Sequence, residues 1–347
     1  MRTSRALRPL AESLATVALG LVAGAVLIWA FGHPPGAAYR ALVLGAFGTW
    51  EDLLETLAFA TPLMLTALTF AVGVRGGLFN IGAEGQMYLG AVGATFVAGM
   101  VPMPAWVHLA AATLAGMAAG AVWALIPAAL KAWRGAHEVI STIMCNWIAL
   151  HLSMYLAINL LAEPGRAERT VPALPTARYP VLSEDSTLTA VVFVAVGFAL
   201  LVYAYLWGTR AGYELRLAGE NPDAARYAGV RPQRVVVLTF VIGGLAAGLA
   251  GASQVIGRPP AWSLYATLGN VTTLGFDGIG VALVGRNHPI GGILGAVLFG
   301  ALAQGGRLME YEVGVLSELV RALNGIIVFA MAVPELWSLI RRRFLRP

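Results

Sequence analysis

Between Val235 and Ile256 the chain reads VVVLTFVIGGLAAGLAGASQVI, 22 residues without one ionisable side chain. About 20 such residues in a helix reach across the hydrocarbon core of a bilayer, and runs of this kind recur along the sequence. Only helices and closed barrels satisfy their backbone polar groups inside lipid. The runs are far longer than the alternating segments of about 10 residues that form a membrane barrel. Charged residues make up only 12% of the chain and hydrophobic ones 58%, against about 25% charged in a soluble domain. That excludes a water-soluble globule. The chain is read as an all-α polytopic membrane protein.

Ten spans are expected, near 13–31, 56–74, 86–101, 105–130, 139–161, 188–207, 235–256, 271–285, 289–304 and 320–340, some of them short or broken. The eighth reaches only about 22 Å at 1.5 Å per residue, and the ninth is also short. Eight spans with re-entrant pieces are the alternative. Arg2, Arg5 and Arg8 precede the first apolar run as in a signal peptide, but the run is long and no small-residue cleavage site follows at once, so it reads as an uncleaved span. With the N-terminus in the cytoplasm, 16 of the 23 lysines and arginines fall on that side and 7 outside, as the positive-inside rule requires. Ten spans place the C-terminus, with Arg341, Arg342 and Arg343, in the cytoplasm too. The organisation is one transmembrane domain over 1–347, with a cytoplasmic loop at 208–234 and an extracytoplasmic loop at 162–187.

The net charge of +5 is spread over loops and both ends, and does not point to nucleic acid. The single cysteine, Cys145, lies in an apolar run and forms no intrachain disulfide. The five histidines show no metal-ligand spacing. Gly20/Gly24, Gly116/Gly120, Gly244/Gly248 and Gly291/Gly295 have the G-x-x-x-G spacing that lets helix backbones approach closely, and packing is their expected role.

One stretch, LRLAGENPDAARYAGV from Leu215 to Val230, breaks the apolar pattern. Asn221 is a good N-cap and Pro222 fits the first helical position. Asp223 sits at the positive end of the helix dipole, and Gly229 is a natural stop. These residues predict a short capped helix on the cytoplasmic face, which either caps the flanking spans or is gripped by a partner.

The stretch resembles the cytoplasmic coupling loop of permease subunits in bacterial ABC importers, in the branch that serves branched-chain amino acids, simple sugars and nucleosides. GLFNIGAEGQMYLGA (77–91) and GFDGIGVALVGRNHPIGGILGA (275–296) are similar to the nucleoside and simple-sugar permeases of that branch. The resemblance covers roughly residues 56–340. It implies a multi-pass subunit of the bacterial cytoplasmic membrane, surrounded by lipid. A second permease completes the pathway, as a heterodimer first and a homodimer second. An extracytoplasmic binding protein delivers the solute. A cytoplasmic ABC ATPase is implied to grip Glu220, Asn221, Asp223, Arg226 and Tyr227. The residues agree on one point independently: a phosphate-binding loop needs G-x-x-x-x-G-K-[ST], and the only lysine, Lys131, follows IPAAL. No cofactor is therefore expected in this chain; ATP and magnesium belong to the partner ATPase, and the permease is not an enzyme.

Polar residues inside the apolar region are candidates for the pathway. Asn80 and Glu84 lie in FNIGAEGQ, a glycine-broken turn between the second and third spans. On the expected topology this turn is at the cytoplasmic end, where Glu84 is solvated or caps the third span; solute contact is its other reading. Asp277, at the start of the short eighth span, either bonds nearby backbone N–H groups or lines the pathway, as broken helices do in many transporters. Asn270, Thr272 and Thr273 would be its neighbours. Asn146, in the fifth span, either faces the pathway or hydrogen-bonds a neighbouring helix. Trp262 and Tyr265 are interfacial anchors or a surface for a nucleobase. The 163–187 loop, with four prolines, docks the binding protein or simply connects spans. No metal site is expected. The substrate order is nucleoside, simple sugar, branched-chain amino acid. The rival classes are an ion-coupled secondary transporter, for which Asp277 is the one intramembrane candidate, and a membrane enzyme, for which no catalytic motif is present.

Overall fold

A computed structural model describes residues 17–316 and 318–330. The helices are α1 (Val17–Ala30), then α2 (Pro35–Phe47), α3 (Trp50–Arg75), α4 (Ala83–Met100), α5 (Ala105–Arg134), α6 (Glu138–Asn159), α7 (Val191–Gly208), α8 (Arg210–Glu220), α9 (Pro222–Tyr227), α10 (Pro232–Ile256), α11 (Leu274–Val284) and α12 (Pro289–Val313). A last helix, α13, covers 318–330. A two-residue strand β1 (Ala162–Glu163) pairs antiparallel with β2 (Arg166–Thr170). The charged ends, Arg2, Arg5, Arg8, Arg341, Arg342, Arg343 and Arg346, and the later part of the tenth expected span lie outside the described residues.

The fold is all-α and membrane-spanning. Among the described residues, α3, α5, α6, α7, α10 and α12 are long and apolar enough to cross a bilayer. The other expected spans coincide with α1, α4, α11 and α13, which are shorter or more polar. Two elements differ from expectation. The ninth span is not short: α12 runs 25 residues, through Arg307, Glu310 and Glu312, until Gly314 stops it in the left-handed region (φ 73°). The chain between the first two spans is not a loop: α2 starts at Pro35, a favoured first helical residue, and buries Ala38, Ala41, Leu42 and Ala46. At 13 residues it is too short to cross.

α3 and α10 form the buried centre of the bundle. Their neighbours approach through glycine. The G-x-x-x-G pairs of α5 and α10 meet face to face: a Cβ on Gly120 would lie 2.4 Å from the Gly244 carbonyl oxygen, and one on Gly248 would lie 2.3 Å from that of Gly116. Gly90 of α4 closes on the same point, with a Cβ there falling 2.5 Å from the Gly248 Cα. In lipid, where apolar burial gives no drive to associate, such backbone contact supplies the packing. The outer surfaces of α5, α6 and α7 expose Trp106, Leu114, Val122, Met144, Trp147, Phe193 and Leu201, an apolar exterior suited to lipid rather than water.

One end of the bundle is closed by the 162–187 segment, which is pinned rather than loose. Thr170 N–H donates to the Leu264 carbonyl (2.9 Å), Ala173 N–H to that of Trp262 (2.7 Å) and Tyr179 N–H to that of Ile256 (2.8 Å). Leu174 N–H reaches Ala98 of α4 (2.8 Å), and Glu55 of α3 accepts from the Thr187 backbone and hydroxyl. Arg169 pairs with Glu163 across the hairpin and holds that carboxyl below the usual range. α8 and α9 lie at the opposite end, after α7 and before α10.

Gly248→Leu is expected to destabilise the protein by about 1–3 kcal/mol or more, the usual cost of overpacking. Gly197→Leu on α7, where nothing lies within 4 Å of the new Cβ, is expected to be near neutral. Thermal unfolding of the two purified variants in detergent checks the contrast.

Candidate functional site

The polar candidates gather where helices break inside the bundle. α3 ends at Arg75, and Thr66, about 13 Å back along the helix, gives its hydroxyl to the Leu274 carbonyl at the start of α11 (2.9 Å). After α3 the chain turns through Gly76 and Gly77 (φ 72°) and doubles back, so that a Cβ on Gly73 would lie 3.3 Å from Asn80 N. α4 starts only at Ala83. Half of a hydrocarbon core is about 15 Å. α11 therefore begins near the midplane, and so does α4, since a Cβ on Gly275 of α11 would fall 2.4 Å from the Glu84 N in the first turn of α4.

The first N–H groups of a helix have no partner within it, and lipid supplies none. At α4 the donors go to amide side chains. Asn80 Oδ1 accepts from Gly82 N–H (2.9 Å) and from Gln86 Nε2 (3.2 Å). Asn146 of α6 accepts from Gly85 N–H with Oδ1 and donates Nδ2 to the Ile81 carbonyl, both at 2.9 Å. At α11 the donors go to Glu84. Its Oε1 accepts from Thr273 N–H (2.5 Å) and the Tyr88 hydroxyl (2.6 Å), and its Oε2 accepts from Gly275 N–H (2.6 Å) and Phe276 N–H (3.3 Å). Gly275 permits the approach, since a Cβ there would fall 2.4 Å from Glu84 N.

This corrects the expected position of Glu84. It is 3% exposed, not solvated at a membrane face, and the helix it caps is α11 rather than its own. The re-entrant turn at 76–82 lifts it into the bundle. A negative charge at the positive end of α11 is also favourable through the helix dipole.

The other candidates separate. Asn270 accepts from Tyr265 N–H (3.1 Å) and donates to the Ser263 carbonyl (3.0 Å), bracing the irregular segment that leads down to α11. Trp262 is buried in that segment beneath Arg178 (5.2 Å from guanidinium to ring), whereas Tyr265 is half exposed. Asp277 lies one turn into α11 and lines a cavity of about 420 Å³ with Thr273, Phe276, Phe299, Arg321 and Asn324. A cavity of this size suits a small ligand. Arg321 and Asn324 come from α13, which the sequence offered only as a plain span. The signal there was a polar pair three residues apart, on one face at the start of an apolar run.

The capped helix expected from Asn221, Pro222 and Gly229 appears as α9. Asn221 Oδ1 accepts from Asp223 N–H (3.1 Å) and Ala224 N–H (3.0 Å), Pro222 opens the helix, and Gly229 turns the chain at φ 80°. Ala225 anchors the helix by burial, while Glu220, Asn221, Asp223 and Arg226 are exposed. Tyr227 is 99% exposed, an aromatic ring that the described residues leave uncovered. α8 was not expected. It is an amphipathic helix of 11 residues, capped by Thr209, whose hydroxyl accepts from Gly212 N–H (3.0 Å).

Glu84→Ala would leave three α11 N–H groups without acceptors in the bundle. It is expected to lower stability by about 2–4 kcal/mol, from the cost of stranded buried donors. Glu84→Gln, with one acceptor oxygen, should fall between. Hydrogen exchange at residues 273–276 should rise from the parent chain to Glu84→Gln and again to Glu84→Ala.

Comparison with known proteins places these features. The guanosine ABC transporter permease protein NupP of Bacillus subtilis is 37% identical over 322 residues, 92% of each chain. The nucleoside ABC transporter permease protein NupB of Lactococcus lactis is 34% identical over 92% of this chain and 90% of its own. The glucose ABC transporter permease protein TsgB13 of Haloferax volcanii is 32% identical over 93% of this chain and 87% of its own. Residues 52–333, which include the midplane breaks, the cavity and the capped helix, match the family described as the permease component of branched-chain amino acid transport systems. The chain belongs to that family of multi-pass membrane permeases.

Proposed function

We propose that this chain is the permease subunit of an ATP-driven ABC importer and forms half of the translocation pathway for a nucleoside, with a simple sugar as the second choice. One observation carries the reading. Residues 257–273 form irregular backbone that descends from the hairpin end of the bundle to the midplane, exposing Thr267, Thr272 and Thr273. Lipid does not tolerate such a segment; it belongs beside a water-filled cavity. The polar surface is open in this chain, and a second permease, in a heterodimer or a homodimer, would close it into a channel.

The chemistry of the cavity favours an uncharged, hydroxyl-rich solute. The positive end of α11 is already taken by Glu84, so an anionic solute gains little from it. Asp277, Thr273 and Asn324 offer hydrogen-bonding groups for hydroxyls, and Phe276 and Phe299 offer ring surfaces for a base. The nucleoside choice also follows the substrates for which the relatives NupP and NupB are named. At the other end of the pathway the pinned 162–187 segment is the docking surface for a binding protein.

The drive is external. Glu220, Asn221, Asp223, Arg226 and Tyr227 form the grip for a cytoplasmic ATPase that binds ATP and magnesium, and this chain hydrolyses nothing itself. α9 is suited to the task because its caps and the buried Ala225 hold six residues in place while the other side chains stay exposed.

Reconstitution in proteoliposomes with the ATPase, second permease and binding protein tests the whole reading. ATP-dependent uptake of labelled guanosine is the expected result. Uptake of glucose or ribose alone would overturn the nucleoside choice, and proton-driven uptake without the ATPase would overturn the importer. Asp223→Arg and Tyr227→Ala are expected to abolish ATPase co-purification while leaving the melting temperature of the chain unchanged. Asp277→Asn is expected to leave co-purification intact and to reduce uptake about tenfold or more, the loss that follows from removing a charged hydrogen-bond partner.

A further inference from the structure

Three arginines from separate elements converge at the end of the bundle that carries α8 and α9. Arg75 ends α3, Arg216 lies in α8, and Arg286 stands at the corner between α11 and α12. They line one cavity of about 220 Å³, together with Glu220 and Asn287. Three of the residues that line it carry guanidiniums and one carries a carboxylate.

Part of this arrangement is structural. Arg75 donates Nε to the Asn287 carbonyl (2.9 Å) and Nη2 to that of Arg286 (3.3 Å), and so holds the α11–α12 corner to α3. Arg216 donates Nε to the Leu206 carbonyl (3.0 Å) at the end of α7. These bonds use carbonyl acceptors and neutralise no charge. Among the described residues, Arg216 has no carboxylate within salt-bridge distance, and its terminal nitrogens have no acceptor.

The surroundings say what kind of anion fits. Arg75 and Arg216 lie 5.6 and 5.4 Å from the Trp207 ring, which also meets Tyr203 (5.1 Å) and His288 (4.8 Å). Trp207 is near the end of α7, whose outward face exposes Phe193, Leu200 and Leu201. A tryptophan at the end of a lipid-facing helix marks the headgroup level. Guanidinium groups bind phosphate oxygens in paired hydrogen bonds, and basic pockets between helices at this depth take anionic headgroups.

We propose that Arg75, Arg216 and Arg286 form a binding site for the phosphate of an acidic phospholipid, whose acyl chains lie along α7 and whose headgroup ties α8 to the bundle. The shared chemistry is the anionic oxygens of a phosphate group; the lipid-facing aromatic cluster selects the lipid over a free anion. The site is separate from the midplane cavity and does not rest on the solute reading.

The purified full chain, delipidated in detergent and without its ATPase, is titrated with dioleoylphosphatidylglycerol, dioleoylphosphatidylcholine or inorganic phosphate, and bound lipid is counted by native mass spectrometry. Phosphatidylglycerol is expected to be retained in preference to phosphatidylcholine. Arg286→Gln should weaken it about tenfold, in line with the loss of one charge-assisted contact. Arg216→Lys, which keeps the charge but loses the planar fork, should weaken it less. Arg231→Gln, at the same end but outside the cavity, should leave it within about twofold. Equal retention of both lipids, or equal losses in Arg286→Gln and Arg231→Gln, would overturn the site. Displacement of phosphatidylglycerol by millimolar phosphate would overturn the lipid as its occupant. Each variant is scored only on the monodisperse fraction, and if Arg286→Gln yields none, unchanged binding in Arg216→Lys and in Arg75→Lys would overturn the proposal.

Discussion

A helix that starts inside a membrane presents N–H groups to a medium that cannot accept them. Among the described residues there are two such starts, at α4 and α11, and the polar interior around them is arranged to satisfy them. The α4 start is satisfied by Asn80 and Asn146, and the α11 start by Glu84. The solutions are linked, because Glu84 belongs to the first turn of α4 and closes the first turn of α11. One carboxylate thereby fixes the relative position of two broken helices that are 189 residues apart at Glu84 and Thr273. α3 supplies the third side, through the Thr66 hydroxyl on the Leu274 carbonyl and the Thr69 hydroxyl on the Gly243 carbonyl.

That arrangement decides which polar groups remain for a solute. Glu84, Asn146 and Asn270 are engaged with backbone, so their burial is explained by architecture. Asp277 differs. It sits on the same short helix, past the capped turn, and its side chain borders open volume with Arg321 and Asn324. The firmer the α4–α11 junction, the more narrowly Asp277 is placed. Positioning by rigid elements is what a recognition site needs.

Much of this was legible in the sequence. The apolar runs gave the class and most of the spans, because a 20-residue hydrophobic window is a physical requirement of crossing lipid. The caps at Asn221, Pro222 and Gly229 announced α9, since capping is local chemistry. Other features were hidden for physical reasons. The depth of Glu84 depends on the chain doubling back after Gly77, and a glycine-rich turn reads the same at the surface as in the core. α2 was missed because 13 residues fall below the spanning length while their apolar face is covered only by tertiary packing. The length of α12 was missed because Arg307, Glu310 and Glu312 mark the end of apolarity, not the end of a helix. Arg321 and Asn324 became visible as neighbours of Asp277 only once α13 was packed beside α11.

The two ends of the molecule now connect through a small number of rigid contacts. Gly219 of α8 touches the α3–α4 turn, where a Cβ would lie 2.2 Å from the Arg75 carbonyl oxygen. Arg75 in turn holds the carbonyls of Arg286 and Asn287, which follow α11 after its cap Gly285. Contacts therefore run without a gap from α8 to the C-terminal end of the helix whose first turns carry Asp277. The distance along α11 is short, about 16 Å for its 11 residues, and Gly278 and Gly280, between Asp277 and the corner, are packed against Thr66 and Val328. Motion at the membrane surface and the polar groups at the midplane thus share one stiff element. This is the physical condition for a partner at α9 to act on a solute it never touches.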